Sequence, residues 1–372
     1  MHQVGKKNNS EKVVLFIMSL PTDNFLDAVR VSSRKCIEKS AVKISDEGIR
    51  TFLQNLDKHQ FEELAIDSPM RMPLKFNSVA EEINFVSFID LLNFGSGYRV
   101  PLHELAGRGA FDTIRFGAMS FHIGGTPMTA NKFKNITAYE VSEIFQIPIE
   151  RDVHPPNMPF VTMSEPTPLK PLAVGIASVL NTTGEFLEKH HYNDMASFIL
   201  DVTKPQSNQM PSASRLVEHL VRALPGLQDL YTIDGEDVYI FKKAQILTYH
   251  LWMFFKDQDP DRFDFADIER LTIFSDNVIP TMLEHLGILV IPSEWKQDIV
   301  DNKDIGEEKA TILRAAAIVA CDKIVQLTRS SSPIGQITNM IEGDLDVYLW
   351  RLGKEGEYRN IPRIEWRDTV MF

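Results

Sequence analysis

The stretch GEEKATILRAAAIVACDKIVQL, residues 306–327, decides the fold class. Gly306 leads into Glu307 and Glu308, and carboxylates in a first turn suit the positive end of a helix dipole. From Ile312 to Ile324 the residues are apolar nearly all round, which predicts a helix at the centre of a domain rather than on its surface. Outward from it, helix periodicity recurs at 172–187, 194–200, 212–224, 238–255, 267–289 and 334–352. Upstream, 23–38, 45–56, 80–94 and 137–145 read the same way; the last opens on Thr137 with Glu140 three residues on, a capping-box pattern. Leu230 to Ile240, with Asp234-Gly235 at its middle, reads as a small hairpin. Alternating strand–helix units are absent, so the predicted class is mainly α with a small β-hairpin, not a parallel-sheet fold.

Between the two helical halves lies a proline-rich stretch from Pro148 to Pro171, with Pro155, Pro156, Pro159, Pro166 and Pro168 inside it. It reads as a stiff loop crossing the surface of one domain, because neither flank looks self-sufficient as a fold. Residues 12–372 are therefore expected to form a single domain behind a polar, disordered tail at 1–11. Across 372 residues, 44% are hydrophobic and 24% charged, ordinary globular proportions that exclude a wholly disordered or collagen-like chain.

The net charge of -12 leaves no broad cationic surface for gripping a phosphate backbone, so direct nucleic-acid binding is not expected. Only Cys36 and Cys321 are present, too few for a disulfide framework or a four-cysteine zinc site, and both fall in helical apolar patterns that read as buried free thiols. The apolar run Val13 to Leu20 is short and leads into Pro21, a poor signal peptide, and no apolar stretch approaches a membrane span. The expectation is a soluble cytoplasmic protein without a membrane partner.

Generic motifs are scarce. There is no GxGxxG, P-loop or nucleophile elbow, and His190-His191 lacks partners at metal-ligand spacing. Gly107-Arg108-Gly109 is a loop with one cation that could cradle an anion, and Lys242-Lys243 opens an aromatic-rich helix. Leu91 to Arg99 carries a buried-looking helix into a glycine-rich turn, Gly95-Ser96-Gly97. Asp276 follows the apolar run Leu271 to Ser275 and reads either as a site residue or as a cap for the helix that follows. Asp344 and Asp346 stand two positions apart beside Tyr348 and Trp350, so on a helix only one of them can face the core.

Taken in order, these stretches resemble the queuosine salvage protein family, the queuosine 5′-phosphate N-glycosylases. Tyr239 to Leu247 looks like the family's Tyr-Lys-Arg-Ala-Gln-Ile-Leu segment, and Asp267 to Asp276 is similar to its Asp-Ile-Asp-x-Leu-Thr-x-Phe-Ala-Asp segment. Leu283 to Leu289, Leu313 to Ala315, Asp346 to Trp350 and Ile361-Pro362 with Arg363 and Arg367 continue the likeness; upstream, Asp90 to Phe94 resembles its Leu-Asn-Phe-x-Phe-Trp helix end. The resemblance implies a helical bundle-like fold related to helix-hairpin-helix DNA glycosylases. It also implies hydrolysis of the N-glycosidic bond of queuosine 5′-monophosphate, releasing queuine for reuse in tRNA, with no metal or other cofactor. It places the catalytic aspartate on Asp276, a substrate-contacting aromatic on Phe274, a second acid on Asp346, and Asn93 beside them.

The chain departs from the family at three places. Tyr-Arg-Val-Pro becomes Asn277-Val278-Ile279-Pro280, Asp-Tyr-x-x-x-Asp becomes Asp346-Val347 with Arg351 at the last place, and Asn-Phe-x-Phe-Trp becomes Asn93-Phe94-Gly95-Ser96-Gly97. A divergent member with a related nucleotide as substrate is one expectation; a non-catalytic nucleotide-binding or scaffold protein on the same fold is the alternative. In the first reading a fixed carboxylate stabilises the cationic sugar of the transition state. Lys242, Lys243 or Arg108 would then meet the 5′-phosphate.

Overall fold

In the computed structural model the described residues are 19–67, 72–158, 160–207, 209–330 and 334–372. The tail at 1–11, the start of the run after it, and Pro159 lie outside them. The helix predicted to be central is Gly306–Thr328, and its Ala310, Ala315, Ala316, Ala317, Ile318, Ala320, Cys321 and Ile324 are all fully buried. Around it, one cluster of buried apolar side chains runs from Phe25 to Phe372, joining both sides of the proline-rich stretch. Cys36 and Cys321 are buried free thiols, as their patterns predict.

The chain is mainly α with small antiparallel strand pairs. Leu230–Ile233 pairs with Glu236–Tyr239 around Asp234-Gly235, both at positive φ (50° and 78°), the backbone that a two-residue hairpin turn needs. Two further pairs were not expected. Lys43–Ile44 pairs with Leu289–Val290, tying an early segment to a late one. Within the proline-rich stretch, Glu150–Val153 pairs with Met163–Pro166 as an exposed ribbon rather than a featureless loop, and its prolines sit beyond or at the end of the paired residues. Among the described residues no helix is long and apolar enough to cross a membrane.

The pattern at 267–289 is not one helix. Ile268–Arg270 forms a single tight turn, 271–276 runs extended, and only Val278–His285 is α-helical. The extended piece is buried, and three of its amides are satisfied by side chains from two flanking helices. Gln245 Oε1 accepts from the amide of Thr272 (2.8 Å), Glu342 Oε2 from that of Ile273 (2.8 Å), and Asp346 Oδ1 from that of Phe274 (2.9 Å). Buried backbone donors must find acceptors, and a helix would have supplied them internally; here the acceptors are imported, which holds the segment straight. Similarly, 334–341 is not helical, and the last long helix is Glu342–Leu352.

Candidate functional site

Three helices and the extended segment converge beside a cleft of about 430 Å³, within the range of small-molecule sites. Its walls are Arg99 and His103 from Arg99–Ala106, Phe111 and Arg115 from Ala110–Ile123, Asp276 and Asn277 from the extended segment, and Lys354, Arg359 and Arg363 from the C-terminal region. Asn93, Phe111, Asp276 and Trp350 also border a narrow inner recess, which adds Lys242, Ile246, His250, Phe274, Asp346 and Val347. A third cavity, of about 340 Å³ and largely apolar, shares Phe111, His250 and Trp350 with the recess. Phe111 and Trp350 meet edge to face at 5.2 Å and form the wall common to all three spaces.

Asp276 sits where cleft and recess join, 7% exposed. Its Oδ1 accepts from the amides of Val278 (2.7 Å) and Ile279 (3.1 Å), two of the orphan donors at the start of Val278–His285. Pro280 lies in that first turn, where its missing N–H is not needed. The capping reading and the site reading of Asp276 therefore coexist: one oxygen is tied to the helix end, and Oδ2 accepts no hydrogen bond among the described residues.

Asp346 faces the recess and Asp344 does not share that face; Asp344 instead accepts from the Tyr249 hydroxyl at 2.8 Å. Glu342 and Asp346, four residues apart on one helix face, are the two carboxylates that grip the extended segment. Burial, and then the charge of Asp276, push the Asp346 carboxyl well above the usual carboxylate range; the Phe274 amide and Lys242 oppose the shift. Phe274 is 2% exposed, its ring 5.5 Å from that of Tyr249.

Lys242 is 2% exposed and its Nζ donates to the carbonyl (2.7 Å) and side-chain oxygen (3.2 Å) of Asn93, so these two predicted residues meet at the recess. Burial pulls the Lys242 ammonium below its ordinary range, and Asp276 partly offsets this. The other two predicted cations stand elsewhere. Lys243 Nζ donates to the carbonyls of Leu91 (3.0 Å) and Val370 (2.6 Å), a structural clamp between a helix end and the C-terminal tail. Arg108 donates to the carbonyls of Phe145 and Gln146 and lies 4.4 Å over the Phe116 ring. Neither lines the cleft, the recess or the third cavity.

The cations that do line the cleft escaped sequence reading. Arg363 is 5% exposed and donates to the carbonyls of Gly353 and Tyr358, while its Nη1 is buried without an acceptor among the described residues. Burial lowers its pKa to about 10, with Asp276 pulling the other way. Lys354 Nζ sits 3.3 Å over the Trp350 ring, and Arg99 donates to the Arg359 carbonyl at 2.9 Å. Arg363 stood in a stretch already quoted; nothing in its spacing told which face it takes. Among the described residues no group of carboxylates, histidines and cysteines is placed to hold a metal ion.

The site is thus a cation-lined cleft feeding an aromatic recess with paired aspartates. A family model described as queuosine salvage protein matches residues 74–369, a span that contains every residue named in the site. The chain belongs to that family. Three curated relatives carry the name queuosine 5′-phosphate N-glycosylase/hydrolase. The one from Schizosaccharomyces pombe is 32% identical over 160 residues, 42% of this chain and 44% of the relative. The one from Sphaerobacter thermophilus is 29% identical over 189 residues (50% and 53%), and the one from Nematostella vectensis 28% over 245 (62% of each). The chain therefore spans about half the length of the curated relatives it matches.

Proposed function

We propose that this protein hydrolyses the N-glycosidic bond of queuosine 5′-monophosphate or a closely related modified nucleotide, releasing the free base. The observation that carries the reading is the place of Asp276: a carboxylate with one oxygen fixed by two amides, at the mouth between a cation-lined cleft and an apolar recess. Breaking a C–N glycosidic bond builds positive charge on the ribose. A carboxylate already held in place stabilises that charge without reorganising, and does so more strongly where water is scarce. The ribose belongs at the mouth, the 5′-phosphate in the cleft, and the base against the recess, whose own volume of about 30 Å³ requires the base to extend toward the cavity beyond Phe111 and Trp350.

Arg363, Lys354 and Arg99 replace Lys243 and Arg108 as the phosphate partners. A buried guanidinium nitrogen lacking an acceptor gains most from a charged oxygen. In the recess Phe274 walls the base, and Asp346, holding its proton, offers it a hydrogen bond from the oxygen not used by the Phe274 amide. The aromatic faces of Phe111 and Trp350 complete the lining.

Product analysis tests the reading. Incubating the purified chain with queuosine 5′-monophosphate should give equal amounts of queuine and ribose 5-phosphate by chromatography. Retention of intact nucleotide, together with ligand-induced thermal stabilisation, would favour the non-catalytic binding protein; no stabilisation and no turnover would remove the nucleotide altogether.

A further inference from the structure

Asp90 and His250 have no part in the reaction as set out above. Asp90 is fully buried near the end of Val79–Leu91, and its two oxygens lie 2.8 and 3.1 Å from Nδ1 of His250 on Lys242–Phe255. The imidazole stacks almost parallel to the Phe254 ring, at 5.6 Å and 7°. Such a contact fixes the ring: Nδ1–H donates to the carboxylate, and Nε2 is left either as an acceptor or, in the imidazolium, as a second donor. Among the described residues Nε2 has no hydrogen-bond partner, and the side chain lines both the recess with Asp276 and Asp346 and the cavity beyond Phe111 and Trp350. Among the described residues no serine, threonine or cysteine lines the recess, so none of them gives the histidine a hydroxyl or thiol nucleophile to activate. What it faces is the recess and the cavity beside it.

We propose that His250, oriented by Asp90, is the proton donor to the departing base, an assignment that rests on the hydrolytic reading above. The C–N bond breaks with its electron pair going to the base nitrogen, leaving the anomeric carbon cationic beside Asp276. A 7-deazapurine has no N7 to take up a proton, so the negative charge must be met on another edge of the base, at N3 or the exocyclic oxygen. Nε2–H of the imidazolium gives its proton to that edge and the ring becomes neutral. Water then adds to the anomeric carbon, and the proton it sheds restores the imidazolium through solvent. The sum is nucleotide plus water giving base plus ribose 5-phosphate. Asp90 serves as the positioning residue, holding tautomer and angle.

Leaving-group dependence separates this role from a structural one. The full chain and its His250→Gln, His250→Asn, Asp90→Asn and Asp276→Asn forms are assayed on queuosine 5′-monophosphate and on 4-nitrophenyl ribofuranoside 5-phosphate, whose phenolate departs without a proton, with melting curves recorded for each. On the nucleotide, His250→Gln should lower kcat by about 100-fold or more with KM within twofold, while the nitrophenyl substrate loses no more than about threefold. Asp90→Asn should lower the nucleotide rate about tenfold, and Asp276→Asn should lower both substrates. Equal losses on the two substrates, or a raised KM with kcat kept, would overturn the assignment; His250→Asn and Asp90→Asn carry the test if His250→Gln does not fold. Should the nitrophenyl compound not be taken, the split of kcat against KM on the nucleotide decides. Wild-type protein inert toward both substrates would instead remove the hydrolytic reading, and this assignment with it.

Discussion

On the proposed reading Asp276 does two jobs with one carboxylate, and substitution separates them. Asparagine keeps a side-chain oxygen to accept from the amides of Val278 and Ile279, whereas alanine leaves both without that acceptor. Asp276→Ala should therefore lose about 1 kcal/mol of stability and Asp276→Asn only a few tenths, read from urea midpoints, although both lose activity. Asp346 shows the opposite trade. Its carboxyl is raised by burial and by Asp276, so the folded protein holds the proton more tightly than the unfolded chain does. Such an acid lowers stability as pH rises from the unfolded carboxylate range toward the raised folded value. Asp346→Asn should then melt higher than wild type at pH 7–8, by about 1–2 kcal/mol. The gap should close as pH falls to about 3, below the unfolded value of about 3.9, where both states are protonated. A gap that widened toward acid would show that Asp346 is stabilised as an anion.

Between residue and element lies a buried network that sequence spacing could not announce. Arg314, fully buried on Gly306–Thr328, makes a two-pronged contact with Asp229 (2.9 and 2.7 Å) and donates from Nε to the Ser275 carbonyl at 2.8 Å. Asp229 also accepts from the Tyr231 hydroxyl and from the amide of Lys242. One ion pair thus fixes the backbone just before Asp276 and the start of the helix that carries Lys242 and His250. Arg314→Met should cost about 3–5 kcal/mol, because it strands a buried carboxylate, and adding Asp229→Asn should recover part of it. Urea denaturation of the single and double variants checks this. Most of the long helices were legible from apolar periodicity and caps: Ala138–Phe145 carries its capping box on Thr137 and Glu140, and Gly306–Thr328 is central, whereas Arg99–Ala106 and Ala110–Ile123, which wall the cleft, were not predicted. The extended segment was not, because Leu271 to Phe274 is apolar enough for a helix, and what straightens it are acceptors on Gln245, Glu342 and Asp346, far off in sequence. Asp276, Phe274 and Asp346, named through the family resemblance, line the recess, whereas nothing in the sequence pointed to a site role for Arg363, Phe111 or the Asp90–His250 pair, which only the packing of separate helices brings to the cleft and recess.

At the scale of the whole molecule, the last residues complete the site's frame. The Phe372 carbonyl accepts from the amides of Gly95 (2.8 Å) and Ser96 (3.3 Å), and the Phe372 side chain is fully buried, with the Arg314 guanidinium 5.4 Å above its ring. Gly95 takes a φ of 96°, which turns the chain out of the helix toward Arg99 and the cleft. At Gly97 a Cβ would stand 2.1 Å from the Trp366 carbonyl oxygen, so the tail and this turn pack backbone to backbone. Removing residues 368–372 should lower the melting temperature by several degrees, since it opens a cavity beside Arg314 and strips acceptors from Gly95, Ser96 and Lys243. Unchanged melting would mean that the tail merely covers the site. The overall charge of -12 also bears on binding. A cation-lined cleft on an acidic molecule depends on local contacts, so nucleotide affinity should weaken with added salt less for the buried Arg363 than for the half-buried Arg99 and the exposed Arg359, by comparison of the alanine variants.

On the hydrolytic reading the carboxylate of Asp276 meets the ribose as it becomes cationic. The most direct measurement is single-turnover release of base from queuosine 5′-monophosphate by wild type and Asp276→Asn, with nucleotide affinity measured alongside. The account predicts release slowed about 1,000-fold or more in the variant, with affinity within a few-fold of wild type. Release within tenfold of wild type would contradict it.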